Sequence, residues 1–95
     1  MNFVVVGGAA ATGDGDIMLR FLPSFHAVLL MEQGKSPAEA CAMSLERIAA
    51  TGQPFQGGVV CVDRNGVHAG AANNMTFSYS YMADGDTKVQ VVVVA

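Results

Sequence analysis

The segment from Ala11 to Arg20, A-T-G-D-G-D-I-M-L-R, holds the residues whose types and spacing could carry chemistry. Gly13 and Gly15 lack a Cβ, so another group can approach their backbone N–H groups closely. A helix beginning after them would add the partial positive charge of its N-terminus. The segment therefore predicts a turn that could hold an anion or a developing oxyanion. The alternative is a tight strand-to-helix connection in which the glycines serve only the turn.

The elements on either side of this turn can be read from the apolar pattern. Phe3 to Ala10 is a continuous apolar run rich in β-branched residues, which predicts a strand buried on both faces. Asp14 or Asp16 can cap the helix that follows, and Pro23 should break or bend that helix. A second helix is predicted from about Ser24 to Gln33.

A capping box predicts the next helix. Ser36-Pro37-Ala38-Glu39 combines a capping serine, proline at the first helical position and glutamate three residues after the serine. The helix should run from Pro37 to about Ala50. Glu46 and Arg47 should face outward, and the apolar face should contain Ala40, Cys41, Ser44, Leu45 and Ile48.

The second half of the chain has the pattern of strands. Gly57 to Val62 and Val67 to Ala72 flank Asp63-Arg64-Asn65-Gly66, a hairpin sequence because Asn-Gly readily adopts positive φ. Thr76 to Met82 alternates aromatic and hydroxyl side chains, and Lys88 to Ala95 ends in four valines. We therefore predict an α/β (α+β) fold in which an antiparallel sheet carries helices on one face. The 95 residues should form a single domain (1–95).

Composition narrows the classes of function. The chain is 52% hydrophobic and 14% charged, against about 25% charged in an ordinary soluble domain, so part of its surface should normally be covered. Apolar runs are far shorter than the roughly 20 residues of a membrane span, and the N-terminus lacks the features of a signal peptide. The five Lys and Arg residues are scattered and the net charge is −3, which argues against nucleic acid. We expect no membrane partner and, for the chain as given, a cytoplasmic location.

The sequence resembles the β-subunit of glycosylasparaginase, an N-terminal-nucleophile (Ntn) hydrolase. The resemblance begins with A-A-A-T-G-D-G-D-I-M-L-R-F-L-P-S-F-H-A-V. It continues through M-E-Q-G-K-S-P-A-E-A-C, G-G-V-V-C-V-D-R-N-G and G-A-A-N-N, and covers most of residues 9–82 in the family's order. It implies part of the four-layer αββα sandwich of Ntn hydrolases. It also implies amide hydrolysis of glycosyl-asparagine or β-aspartyl substrates by the intact family.

Site residues follow from this resemblance. Thr12, through its hydroxyl, and Gly13, through its backbone N–H, match the family's oxyanion hole, and Gly15 lies in the same substrate-contacting turn. The family's nucleophile is a threonine freed by self-cleavage at an Asp-Thr site, with its own α-amino group as the base. The segment carrying that threonine, and the arginine and aspartate that hold the substrate, should lie upstream of Phe3. We therefore expect this chain to lack a catalytic nucleophile and to be inactive alone.

The two cysteines, Cys41 and Cys61, lie on the capped helix and the strand that follows it. Two free buried thiols are the commoner state in a cytosolic chain. The resemblance favours a bridge, because lysosomal glycosylasparaginases join cysteines at these positions. A further family cysteine is replaced by Asn73, so one bridge at most can form.

Other sites have little support. The glycines do not have the G-x-G-x-x-G spacing of a dinucleotide site, and Asp14 and Asp16 lack the rest of a calcium loop. Ser24, His26 and Asp16 lack a nucleophile-elbow motif. We therefore expect no cofactor and no metal.

Two functions remain open. The first is the C-terminal portion of an asparaginase-type β-subunit, whose partner would be the rest of the enzyme and whose small asparagine-type substrate would bind only there. The second is a non-catalytic structural module that associates with itself as a dimer or higher oligomer. Family members are also lysosomal or periplasmic, so the resemblance leaves the compartment open.

Overall fold

The computed structural model describes residues 6–83, 85 and 87–94, and the bounds below refer to these residues. Eight elements follow in the order β1 (Gly7–Gly13), α1 (Gly15–Phe21), α2 (Pro23–Glu32), α3 (Pro37–Ala49), β2 (Gly57–Asp63), β3 (His68–Asn73), β4 (Phe77–Tyr81) and β5 (Gln90–Val94). The first three strands form one antiparallel sheet in the order β1-β2-β3, and β4 pairs with β5 in a second antiparallel sheet.

The elements stack as a helix layer, the three-stranded sheet and the two-stranded sheet. On one face of β2, Cys61 is bonded to Cys41 of α3. On the opposite face, Gly58 lies against the ring of Phe77 in β4. Gly70 of β3 lies similarly against side chains of the second sheet. These layers confirm the expected mixed α/β class with helices on one face and are compatible with part of an αββα sandwich.

Local sequence determines where the helices begin and end. Ser36 caps α3, since its Oγ accepts a hydrogen bond from Glu39 N at 3.2 Å and donates one to Glu39 Oε1 at 3.1 Å. Leu22 adopts a left-handed conformation (φ 47°) between α1 and α2. Because Pro23 cannot continue α1, the chain turns there as expected, and α2 begins at the proline, one residue before the expected start.

The core lies between the helices and the three-stranded sheet. The buried face of α3 contains all five residues expected there, and Ser44 is satisfied by a 2.8 Å hydrogen bond from its Oγ to Cys41 O. The helix packs on apolar residues of α2, β2 and the segment before β2, and the buried apolar residues are Ile17, Ala27, Leu30, Met31, Ala40, Cys41, Leu45, Ile48, Phe55, Val59 and Cys61. No helix of the described residues has the length and apolar character needed to cross a membrane.

Three expectations need correction. The four strands expected as one run divide between two sheets: Asn74 (φ 56°) redirects the chain after β3, and β2 pairs with β1 as well as with β3. The first strand is not buried on both faces as expected, since its residues are half-buried from Gly7 to Ala9 and exposed from Ala10 to Gly13. The first strand runs three residues beyond Ala10, to Gly13, and its expected residues 3–5 lie outside the described part of the chain, as does Ala95.

Candidate functional site

The residues expected in a turn lie mostly on a strand. Thr12 and Gly13 are the last two residues of β1, paired with Gly58 and Gly57. Only Asp14 separates this strand from α1, whose first residue is Gly15. The three predicted site residues are therefore close together in the chain and exposed, and two of them belong to a sheet.

The strand register shows where the backbone of Gly13 points. One hydrogen bond lies at each end of the β1–β2 ladder. Asp14 N donates to Gln56 O (2.9 Å) at one end, and Arg64 N donates to Val6 O (3.0 Å) at the other. Hydrogen-bonded pairs alternate along an antiparallel ladder, so the even-numbered residues of β1 bond to β2. Gly13 is odd-numbered, and its N–H therefore faces the outer edge of β1. No other strand of the described residues pairs with that edge.

Gly13 is required at its position for two reasons. Its φ of 135° is a conformation that side chains with a Cβ rarely adopt. A Cβ at this position would also collide with the carbonyl oxygen of Gln56 and lie 2.7 Å from Gly57 Cα. The close approach of two backbones thus excludes any larger residue.

Thr12 supplies a hydroxyl next to this exposed N–H. Thr12 lies on the same face of β1 as Gly8 and Ala10. The second sheet packs on this face of the three-stranded sheet at β2 and β3. Its side chain is exposed, and no group in the described residues hydrogen-bonds its hydroxyl. Thr12 Oγ1 and Gly13 N–H are thus two donors at one strand end, both accessible to a small molecule.

Asp14 has a role that its position alone did not reveal. It occupies the N-cap of α1, but its carboxylate makes no capping hydrogen bond. Instead, Asp14 Oδ2 accepts a hydrogen bond of 2.9 Å from Gln56 N. Gln56 is 42 residues away in sequence, so no local pattern could identify this partner.

Gly15 opens α1 beside a shallow cleft. The first helical hydrogen bond runs from Met18 N to Asp14 O at 2.9 Å, so the N–H of Gly15 has no acceptor within the helix. The cleft measures about 420 Å³, and its lining includes Gly15, Asp16, Arg20 and Gln53. A Cβ at Gly15 would meet open space, so this glycine, unlike Gly13, is not needed for close packing.

A larger groove of about 870 Å³ follows the face of β1 that carries Thr12. Its floor includes Gly8 and Ala10, and its far wall is formed by the second sheet. At that wall His68 Nδ1 and Tyr79 Oη form a hydrogen bond of 2.8 Å, and the rings of His68 and Tyr81 lie 4.1 Å apart between centroids. Burial, with Tyr81 nearby, raises the pKa of Tyr79. The second sheet therefore covers β2 and β3 and leaves the end of β1 open.

A metal site would need several His, Cys, Asp or Glu side chains close together. Within residues 6–83, 85 and 87–94, no group of three or more His, Cys, Asp or Glu side chains could hold a metal ion. His26 lies half-buried on α2, and its Nδ1 has no hydrogen-bond partner among these residues. Burial, with the charge of Arg47 adding to it, lowers the pKa of His26. It is a packing residue on a helix rather than a member of a Ser-His-Asp group.

Cys41 and Cys61 form a disulfide bond between α3 and β2. The pairing that the resemblance implied is therefore present. Asn73, which replaces the further family cysteine, is used differently: its Nδ2 donates a hydrogen bond of 3.0 Å to Phe55 O. That contact was not expected from the sequence.

Two stacked antiparallel sheets with helices on one side, and a glycine-bearing strand end with free donors, are compatible with part of an Ntn amidohydrolase. Comparison with known proteins identifies the family. Residues 4–93 match the asparaginase family, and the chain belongs to it.

Individual relatives are similar over most of this chain. It is 49% identical over 89 residues to a probable isoaspartyl peptidase/L-asparaginase 3 of Arabidopsis thaliana, covering 94% of this chain and 25% of the relative. It is 45% identical over 80 residues to an N(4)-(beta-N-acetylglucosaminyl)-L-asparaginase of Rattus norvegicus, covering 82% of this chain and 23% of the relative. A putative N(4)-(beta-N-acetylglucosaminyl)-L-asparaginase of Drosophila persimilis is 43% identical over 86 residues, covering 90% of this chain and 22% of the relative. The chain thus spans about a quarter of the length of these curated relatives.

Proposed function

We propose that this chain supplies the oxyanion-binding half of an asparaginase-type amidohydrolase site and that its 95 residues alone do not turn over substrate. The substrate would be an asparagine-type amide, in which attack on the carbonyl carbon places negative charge on the carbonyl oxygen. Thr12 Oγ1 and Gly13 N–H would donate hydrogen bonds to that oxygen. Two preorganised donors of this kind lower the barrier of amide hydrolysis by a few kcal/mol.

The observation that carries this proposal is the backbone of Gly13. Its N–H faces an open strand edge, its φ is 135°, and Gln56 leaves no room for a Cβ. A sheet holds the donor in place before any ligand arrives, which is the condition for strong electrostatic stabilisation. Gly15 would lie beside the same ligand, at the edge of the cleft next to α1.

The reaction also needs a nucleophile and groups that hold the α-amino and α-carboxylate groups of the substrate. We assign these to another segment of an asparaginase-type protein, placed along the open face and edge of β1. The match to the family supports this assignment, because the matched region is about a quarter of the relatives' length. Groups that act together contribute little when one is missing, so an oxyanion hole alone should give almost no rate.

A chimeric enzyme tests the proposal. The 89 residues of this chain that align with the Arabidopsis relative would replace the matched region of that relative, and hydrolysis of L-asparagine and β-aspartyl peptides would be measured. We expect an active chimera that loses about 100-fold in kcat on Thr12→Val. Thr51→Val, which removes a hydroxyl that donates to Ile48 O and lies outside β1 and α1, is the matched control. An active chimera that is insensitive to Thr12→Val would contradict the proposed role.

The second candidate function is a self-associating module without catalysis. Exposed apolar side chains favour it: Val91 and Val93 on the outer face of β5 are 66% and 68% exposed, and Phe25 on α2 is 61% exposed. Free edges of β1 and of the second sheet could pair with another chain. Both functions predict that the isolated chain is inactive. The activity of the chimera therefore distinguishes between them.

A further inference from the structure

The direction of the Gly13 N–H depends on the segment that precedes β2. Gly13 is the final residue of an edge strand, a place where ladders commonly fray. Its backbone lies directly against Gln56 O and Gly57 Cα. If this segment moves, the peptide that carries the proposed oxyanion donor moves with it.

Asp14 holds this segment from the side of β1. Its backbone N donates to Gln56 O at 2.9 Å, and its carboxylate accepts from Gln56 N at 2.9 Å. Both backbone groups of Gln56 are therefore bonded to one residue, and that residue directly follows Gly13. The carboxylate replaces the backbone carbonyl that an ordinary ladder would supply, because Asp14 O already accepts from Met18 N.

Asn73 holds the same segment from the side of β3. Its Nδ2 donates to Phe55 O at 3.0 Å, and the side chain of Phe55 is only 3% exposed. Phe55 in turn lies beside Gly57, where Met18 of α1 also packs. The two residues before β2 are thus anchored by a carboxylate on one flank, an amide on the other and a ring in the core.

We propose that Asp14 and Asn73 are positioning residues that fix Phe55 and Gln56 and, through them, the Gly13 N–H. The inference rests on the proposed function, because the importance of that N–H comes from its role as an oxyanion donor. Position 14 needs an acceptor and position 73 needs a donor. The isosteric exchanges Asp14→Asn and Asn73→Asp therefore have opposite consequences: the first keeps an accepting oxygen and the second removes the donating nitrogen.

NMR of the 95-residue chain tests the positioning directly. We expect Asp14→Ala to raise the exchange rate of the Gln56 amide about tenfold, as the loss of one hydrogen bond predicts, and to lower the order parameter at Gly13. Asn73→Asp should likewise lower the order parameter at Gly13. Asp14→Asn should stay close to wild type, and Asp16→Ala, one residue into α1, is the matched control. An unchanged Gly13 order parameter in both Asp14→Ala and Asn73→Asp would overturn the proposal.

A titration with L-aspartate separates this inference from the proposed function. A wild-type shift of the Gly13 amide that is reduced in Asp14→Ala and retained in Asp14→Asn supports both. A wild-type Gly13 amide that does not respond leaves the oxyanion role to the chimera, because the groups that would hold the rest of the ligand are assigned to another segment, and the order parameters still decide the positioning. Unaltered amide shifts in α3 establish that each variant is folded. If Asp14→Ala does not fold, the comparison of Asp14→Asn with Asn73→Asp takes its place.

Discussion

Cys61 of β2 is bonded to Cys41 on the buried face of α3, and their Cα atoms are 6.4 Å apart. Both residues are at most 1% exposed. The bond therefore joins the helix layer to the sheet within the core. The two cysteines are 20 residues apart in sequence. It constrains the same sheet that holds Gly13.

Removal of this bond should lower stability. A bridge that closes a loop of this length contributes about 3 kcal/mol by restricting the unfolded chain, so Cys41→Ala/Cys61→Ala should lower the free energy of unfolding by about that amount. Urea titrations of the oxidised chain, the reduced chain and the double variant would measure it.

The accessibility of the thiols gives a second readout of the same prediction. Because the disulfide contains both cysteines of the chain, the oxidised chain should show no titratable thiol, and two thiols should appear after reduction and denaturation. In a reducing cytosol we expect the free-thiol form to persist. Two reactive thiols in the native chain after mild oxidation, with an unchanged melting temperature, would contradict the bond.

Substitution of the two site glycines should have opposite effects on stability. Gly13→Ala places a Cβ against Gln56 O at a φ of 135°, so we expect a loss of about 1–3 kcal/mol. Gly15→Ala, two residues away, adds a methyl group in open space at the start of α1 and should be neutral or stabilising by up to about 1 kcal/mol. Thermal or urea unfolding of both variants measures the contrast. Equal effects would mean that Gly13 is not in the described conformation.

Stability should fall in mild acid because of His26. Burial, followed by the charge of Arg47, lowers its pKa from 6.5, so the folded chain favours the neutral ring and the unfolded chain binds the proton more readily. The contribution of His26 is therefore complete above 6.5 and is lost as the pH falls through the folded pKa. Urea midpoints at about pH 7.5 and about pH 5 should differ less in His26→Leu than in wild type. His68→Leu, which removes the other histidine, is the comparison, and an equal pH dependence in wild type and His26→Leu would contradict the assignment.

Elements encoded by neighbouring residues could be predicted from the sequence. The capping box of Ser36 and Glu39 defines the start of α3 within four residues, and Asn65-Gly66 defines a hairpin in which Asp63 Oδ1 accepts from Asn65 N and Val67 N. The sheet partners could not be predicted this way. Pairing between β1 and β2, and the separation of β4 and β5 into another layer, depend on how distant segments pack.

The same division applies to the candidate site. Glycine spacing located Gly13 and Gly15, but it suggested a turn where Thr12 and Gly13 belong to a strand. The bond between Asp14 and Gln56 spans 42 residues, and the bond between Asn73 and Phe55 spans 18. Such partners are determined by strand register, which the sequence pattern of either segment does not contain.

The second sheet should support self-association. The outer face of the second sheet presents Val91 and Val93 in register with Ser80 and Ser78, and neither strand of that sheet has a second partner among the described residues. An exposed apolar face beside free strand edges favours pairing with another copy, so we expect a dimer or larger species at micromolar concentration. Val91→Lys/Val93→Lys should shift the mass toward the monomer, because two charges cannot be buried on that face without partners.

Val67→Lys is the matched control for this effect, since Val67 is 54% exposed beside the hairpin turn and lies on neither sheet's outer face. Light scattering coupled to size exclusion would measure all three proteins. If the second sheet carries the interface, only the β5 variant changes mass, whereas an equal change in both would point to a general effect of added charge. A monomeric wild-type chain would contradict self-association itself, since it would show that the apolar face of the second sheet does not need a second copy of the chain to cover it.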